Sequence, residues 1–279
     1  METALEQIRE QQKQTWNRFS GGWKKWDDFT MSFLKPMGDA IISSLELKDT
    51  DHVLDIAAGT GEPGLTIASI VKKGKVVGSD LADDMLAIAR ENAKNKGLTN
   101  YSTQACDVCE LPFADNTFDA ISCRMGFMFF PDMQLAAKEM ARVLKPGGRI
   151  ATSVWAGPEQ NPWITIPMGV INKNVEMPAP PPGSPGMFRC AQPGLIANLF
   201  KQVGLSDVKE VNLAGHIDYG SAETSWAIAT EVAAPVVAGM AKADDQTKEK
   251  IAREVIADIN VKFPGANFPY GSIIISGRK

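Results

Sequence analysis

The sequence predicts an α/β protein built on a doubly wound, mostly parallel seven-stranded sheet, with a helical segment ahead of the sheet and a helical insertion near its C-terminal end. Three observations predict it. Short apolar runs alternate with stretches of helical spacing between about residues 50 and 155, a glycine-rich turn follows the first such run, and the rhythm breaks after Trp155. Alternation of this kind implies parallel strands joined by right-handed crossovers, with helices on both faces of an open sheet.

The elements follow in order. Asp51 to Ala57 reads as a buried strand through Val53, Leu54 and Ile56, and a helix should begin near Pro63. Lys75 to Ser79 gives a second strand, and Met85, Leu86, Ile88 and Ala89 recur at helical spacing within Asp83 to Lys94. Tyr101 to Ala105 and Phe118 to Cys123 are the third and fourth strands. A helix from Asp132 to Leu144 should be stopped by Lys145-Pro146-Gly147-Gly148, with a fifth strand at Arg149 to Val154. Beyond Trp155, Met177 to Gly186 is dense in proline and glycine and reads as a loop or semi-rigid linker. A helix near Pro193 to Val203, a strand near Asp207 to Leu213 and a last strand at Ser272 to Ser276 complete the sheet, and Ala222 to Ile259 reads as a helical insertion. The chain thus divides into an N-terminal helical lid (1–45), a ligand-binding core (46–156) and substrate-covering insertions with the last strands (157–279).

Composition narrows the function. A chain of 279 residues with 44% hydrophobic and 22% charged residues can bury a sizeable core. The net charge of −4 supplies no basic field for a nucleic-acid backbone, so a small-molecule partner is expected and no nucleic acid. Met1 to Lys13 has no apolar leader and no stretch has the length of a membrane span, so the reading is cytoplasmic. Cys106, Cys109, Cys123 and Cys190 are read as reduced thiols. Cys106-Asp107-Val108-Cys109 has C-x-x-C spacing, but no second pair or nearby histidine completes a tetrahedral site, so no metal is expected.

Gly59-Thr60-Gly61-Glu62-Pro63-Gly64 fits G-x-G-x-x-G between a strand and a helix. By itself it admits a nicotinamide dinucleotide. Asp55, on the preceding strand, is the discriminating residue, because its carboxylate should lie close to whatever occupies the glycine turn. Two unit charges about 4 Å apart interact by roughly 4 kcal/mol at an effective dielectric near 20, which disfavours a diphosphate over a ligand bearing ammonium and sulfonium groups. S-adenosylmethionine carries both. Asp80, at the end of the second strand about 20 residues on, can accept hydrogen bonds from ribose hydroxyls. Asp107, after the third strand, can accept from an adenine amino group, while Leu81 and Met85 offer apolar surface to the ring.

At this point a resemblance is visible. Val53-Leu54-Asp55-Ile56-Ala57-Ala58-Gly59-Thr60-Gly61 resembles motif I of class I methyltransferases, and Cys106-Asp107-Val108 with Leu111-Pro112-Phe113, Phe118-Asp119-Ala120 and Arg142-Val143-Leu144-Lys145-Pro146-Gly147-Gly148 resemble the later motifs in order. The similarity covers about residues 50 to 155 and is nearest the branch containing ubiquinone and menaquinone biosynthesis enzymes. It implies a Rossmann-like methyltransferase fold, S-adenosyl-L-methionine as cofactor and in-line methyl transfer to a small-molecule acceptor. Ala57 stands where many members have a glycine, and Met128 and Phe129 stand where numerous members carry histidines.

The expected cofactor residues are Asp55, Ala57, Gly59, Thr60, Gly61, Asp80, Leu81, Met85, Cys106, Asp107, Val108, Cys123 and Arg124, the last two because ligands bind at strand carboxyl ends. Trp16, Phe19, Trp23 and Trp26 recur at nearly helical spacing, either as a stripe packed on the core or as a lid hinged at Gly21-Gly22. With Met128 and Trp155 they are the expected substrate-side residues. His52 is read as a surface residue, and His216 is the one candidate base. A nicotinamide-dependent oxidoreductase, a catalytically silent S-adenosylmethionine-binding module and a homodimeric state all stay open.

Overall fold

The computed structural model describes residues 4–177, 181 and 183–279; within the proline-rich stretch, positions 178–180 and 182 lie outside the described residues. Two helices, α1 (Ala4–Lys25) and α2 (Asp27–Leu45), precede the sheet. Then β1 (His52–Ile56), α3 (Gly64–Ile70), β2 (Lys75–Asp80), α4 (Asp83–Asn95), β3 (Tyr101–Ala105), β4 (Phe118–Arg124), α5 (Met133–Val143) and β5 (Leu144–Trp155) alternate as the apolar periodicity requires. The remainder is α6 (Pro162–Asn174), α7 (Leu195–Gln202), β6 (Ser206–Asp218), the three helices α8 (Ala222–Val232), α9 (Ala234–Met240) and α10 (Asp245–Lys262), and β7 (Asn267–Arg278).

The strands form one sheet in the order β3-β2-β1-β4-β5-β7-β6. The strands β1 to β5 pair in parallel, but β7 is antiparallel to both of its neighbours, β5 and β6, so the sheet is mixed rather than mostly parallel as the alternation suggested. The reason is connectivity. After β6 the chain makes the α8–α10 excursion and comes back beside β6 running the opposite way, slotting between β5 and β6. The buried run Ile273-Ile274-Ile275 reflects that interior position, covered on both faces. The helical insertion itself is three helices rather than one, and α10 buries Ile251, Val255 and Ile259 along a single stripe.

Two local expectations are adjusted. α5 ends at Val143, ahead of Lys145-Pro146-Gly147-Gly148, and those four residues fall inside β5, which starts at Leu144 and shifts register against β4 between Phe118 and Ala120. The Gly21-Gly22 pair is no hinge: α1 runs through it to Lys25 and the chain breaks at Trp26. Gly22 is small because a Cβ there would strike the Glu231 carbonyl of α8, so it marks a close helix crossing. On the sheet's face, α2 lays down Leu34, Met37, Ile41 and Leu45 at spacings of three and four residues. That face carries Asp55 and Ser122, which are register partners on β1 and β4.

Candidate active site

A cavity of about 220 Å³ sits at the carboxyl ends of β1, β2, β3 and β4, roofed by α1, α2 and α8. Its floor is the turn after β1. Gly61 has a φ of 117°, which only glycine adopts readily, and its missing Cβ leaves room for Leu65. Ala57 also sits at positive φ, 55°, which accounts physically for the glycine that many proteins with this motif carry there.

Asp80 clamps the turn from β2: Gly59 N–H and Ala82 N–H each donate to one of its oxygens, both at 2.9 Å. Burial raises its pKa, partly offset by those backbone donors. Thr60 is held from the N-terminal segment, its hydroxyl donating to Asp27 Oδ1 at 2.8 Å, while Asn92 Nδ2 donates to Asp27 Oδ2 at 3.3 Å and to the Thr60 carbonyl at 3.0 Å. Burial raises the pKa of Asp27 as well. The sequence reading missed this buttress, since an acid at the start of a helix reads simply as a terminal charge. At the end of β3, Asp107 Oδ1 accepts from Cys109 N–H at 2.9 Å and Oδ2 pairs with Arg9 Nε of α1 at 2.6 Å.

Of the expected cofactor residues, Ala57, Gly59, Thr60, Asp80, Leu81, Met85, Cys106, Asp107, Val108 and Arg124 line this one cavity, joined by Trp16, Trp23 and Trp155 from the substrate-side group. Asp55 does not. It is fully buried behind the turn, Oδ2 accepting Gly64 N–H at 3.0 Å and Oδ1 accepting the Ser122 hydroxyl at 2.6 Å. Burial pushes its pKa up to about 7, against the pull of Ser122 and Arg124, so at neutral pH it is not the fixed anion that the sequence argument assumed. Its role is to hold the loop. A Cβ at Gly64 would come within 2.7 Å of Asp55 Oδ2 and 3.1 Å of the Tyr101 ring.

Gly61 and Cys123 do not line the cavity either; Cys123 points to the opposite face of β4 from Ser122 and Arg124 and lies in the main core. Met128 is likewise fully buried in that core, and its neighbour Phe129 lines the cavity in its place. Phe19 packs on Ala82 and Met85 beneath the wall. Trp26 donates its indole N–H to Glu231 at 3.0 Å and so fastens the α1–α2 junction to α8. His216, the candidate base, is exposed on β6 at the far edge of the sheet and is not among the cavity-lining residues. Strand alternation turns it outward while Ile217 turns in.

Phe29, Phe33, Trp163 and Tyr219 supply further wall that the sequence reading missed. Phe33 stacks on Trp155 at 5.6 Å and meets Trp163 edge-on at 5.5 Å, while Phe29 lies 4.9 Å from Tyr219. Phe29 and Phe33 continue the aromatic spacing of Trp23 and Trp26, a signal that was legible; Tyr219 had none. A second cavity of about 390 Å³ adjoins the first and shares Gln12, Trp16, Phe129, Met187 and Ala234 with it. Of the C-x-x-C pair Cys109 is buried and Cys106 half-buried, and desolvation followed by the Asp107 charge pushes both thiols up to about 12. No group of three or more potential metal ligands occurs among the described residues.

Residues 53–148 match the family model described as a methyltransferase domain. Over this segment the chain is similar to methyltransferase domains. Over 103 residues, 37% of this chain and 46% of the relative, it is 43% identical to a demethylmenaquinone methyltransferase of Thermus thermophilus. It is 41% identical over 113 residues, 40% of this chain and 45% of the relative, to the ubiquinone/menaquinone biosynthesis C-methyltransferase UbiE of Teredinibacter turnerae. The chain thus spans about half the length of the curated relatives it matches. The domain's fold is shared with the YcgJ protein of Bacillus subtilis, at a TM-score of 0.58 and 23% identity over 87% of this chain and 97% of that one. No helix of the described residues is long and apolar enough to cross a membrane.

Proposed function

We propose that the chain is an S-adenosylmethionine-dependent methyltransferase acting on a small-molecule acceptor. The observation that carries this reading is the convergence of Asp80, Asp107 and the Gly59–Thr60 turn on one cavity, with Leu81 and Met85 beside them. The cavity fits such a ligand. Asp80 keeps lone pairs for ribose hydroxyls after accepting its two backbone N–H groups, Asp107 is placed for an exocyclic amine, and the buried indole N–H of Trp23 has no partner among the described residues. Glu62, Asp80 and Asp107 line the same space, an acidic balance that disfavours a diphosphate and with it a dinucleotide.

When bound, S-adenosylmethionine supplies a methyl group on an already activated sulfonium. What remains for the chain is to orient the acceptor and exclude water. The aromatic wall of Phe29, Phe33, Trp155, Trp163 and Tyr219 suits an apolar acceptor, and the adjoining cavity has room for its remote part. With His216 on the outside, the described lining residues include no histidine, and burial raises the Tyr219 phenol, so neither supplies a ready base for the acceptor. In this reading residues 46–156 hold the donor, while 1–45 and 157–279 cover it and select the acceptor. The methyl acceptors of the quinone-pathway relatives support a small-molecule substrate. Calorimetric titration with S-adenosylhomocysteine tests the reading: micromolar binding is expected, and absence of binding refutes it.

A further inference from the structure

Sheet order places Asp80 and Asp107 and the one arginine among the described lining residues at opposite ends of the cavity. Asp107 follows β3, Asp80 ends β2, the glycine turn follows β1, and Arg124 ends β4. Three inter-strand steps separate the first from the last, about 14 Å. A nucleoside with its amine on Asp107 and its ribose on Asp80 would therefore extend across the turn toward Arg124.

Arg124 is poised to receive something there. It continues the face of β4 that carries Ser122, two residues further on, past the end of β1. Its Nη2 donates to the thioether of Met31 at 3.1 Å, a weak acceptor, and the guanidinium makes no ion pair among the described residues. Carboxylates lie near it, but each is engaged elsewhere. Asp55 accepts from Ser122 and Gly64, Asp27 from Thr60 and Asn92, and Glu62 from the Thr66 amide and hydroxyl while its other oxygen lies 3.5 Å from Lys96. A partly buried guanidinium with five donors and no anionic partner is costly unless a ligand completes it, and its planar fork matches a carboxylate.

We propose that Arg124 binds the carboxylate at the amino-acid end of the donor, fixing the sulfonium between the nucleoside acids and the aromatic acceptor wall. This rests on the methyltransferase reading. An anionic group on the acceptor is the other source of the same chemistry, and the test separates the two.

Calorimetric titrations of the full chain compare S-adenosylhomocysteine with 5′-methylthioadenosine, which has the same nucleoside and sulfur but no amino-acid end. Arg124→Gln should weaken S-adenosylhomocysteine by about 10- to 100-fold and leave 5′-methylthioadenosine within about twofold, with Arg124→Lys recovering part of the loss. The unaffected ligand doubles as a check on folding. Equal loss for both ligands would mean a merely structural arginine, and unchanged S-adenosylhomocysteine affinity would assign Arg124 to the acceptor; either overturns the proposal. Wild-type protein that binds neither ligand overturns the methyltransferase reading together with this one, whereas wild-type binding of both with no discrimination by the Gln variant overturns this one alone.

Discussion

Replacing Asp55 with asparagine separates a buried strut from a ligand contact. In the folded chain this carboxyl is fully buried and its pKa is pushed from 3.8 up to about 7, mainly by desolvation. The folded state therefore holds a proton that the unfolded state has released, and stability falls as pH rises from about 4 through about 7. At about 1.4 kcal/mol per unit, the loss between pH 5 and pH 8 is on the order of 3 kcal/mol. Asparagine has the shape of the protonated acid: its carbonyl can accept Gly64 N–H, its amide can donate to the Ser122 hydroxyl, and it has no proton to lose. The stability of the variant relative to wild type should accordingly rise by roughly 3 kcal/mol over that interval, a relative gain of about 5 °C in Tm for a chain this long. Differential scanning calorimetry of both proteins at the two pH values reads it directly. A Tm difference constant to within about 1 °C, or one that moves against the variant at pH 8, refutes the assignment.

Three further outcomes follow from the same site. Ala57→Gly relieves a left-handed alanine and should raise stability by up to about 1 kcal/mol, seen as a higher denaturant midpoint with an unchanged slope; a lower midpoint would show that the methyl's contacts outweigh the backbone strain. Gly64→Ala drives a methyl to within 2.7 Å of Asp55 Oδ2 and should cost about 1–3 kcal/mol in chemical denaturation, an effect absent if α3 simply slides. Trp23→Phe removes a buried, unpartnered N–H, so the free protein should keep its Tm while S-adenosylhomocysteine binds about 5-fold or more weakly; unchanged affinity would show that the indole faces no ligand acceptor.

Much of this site was legible because it is local. Each strand end, the glycine turn and the acids Asp80 and Asp107 lie within short segments whose periodicity and turn residues fix both element and orientation. Asp55 was legible as a position but not as a role: whether an acid beside a glycine turn faces the ligand or the helix behind it depends on Ser122, 67 residues away. His216 failed for a related reason, since a strand's facing depends on which neighbour it pairs with and which side is covered.

By itself, the sequence determined the alternation from β1 to β5, the glycine turn and the acids at the ends of β2 and β3, because these depend on interactions between residues near one another in the chain. Only the tertiary structure decided the reversed β7, the closure of α1 through Arg9 on Asp107, the aromatic wall and the isolation of Arg124. Those depend on which distant segments share a surface, and the burial that raises the pKa of Asp55 and leaves a guanidinium without an anion arises only once they do.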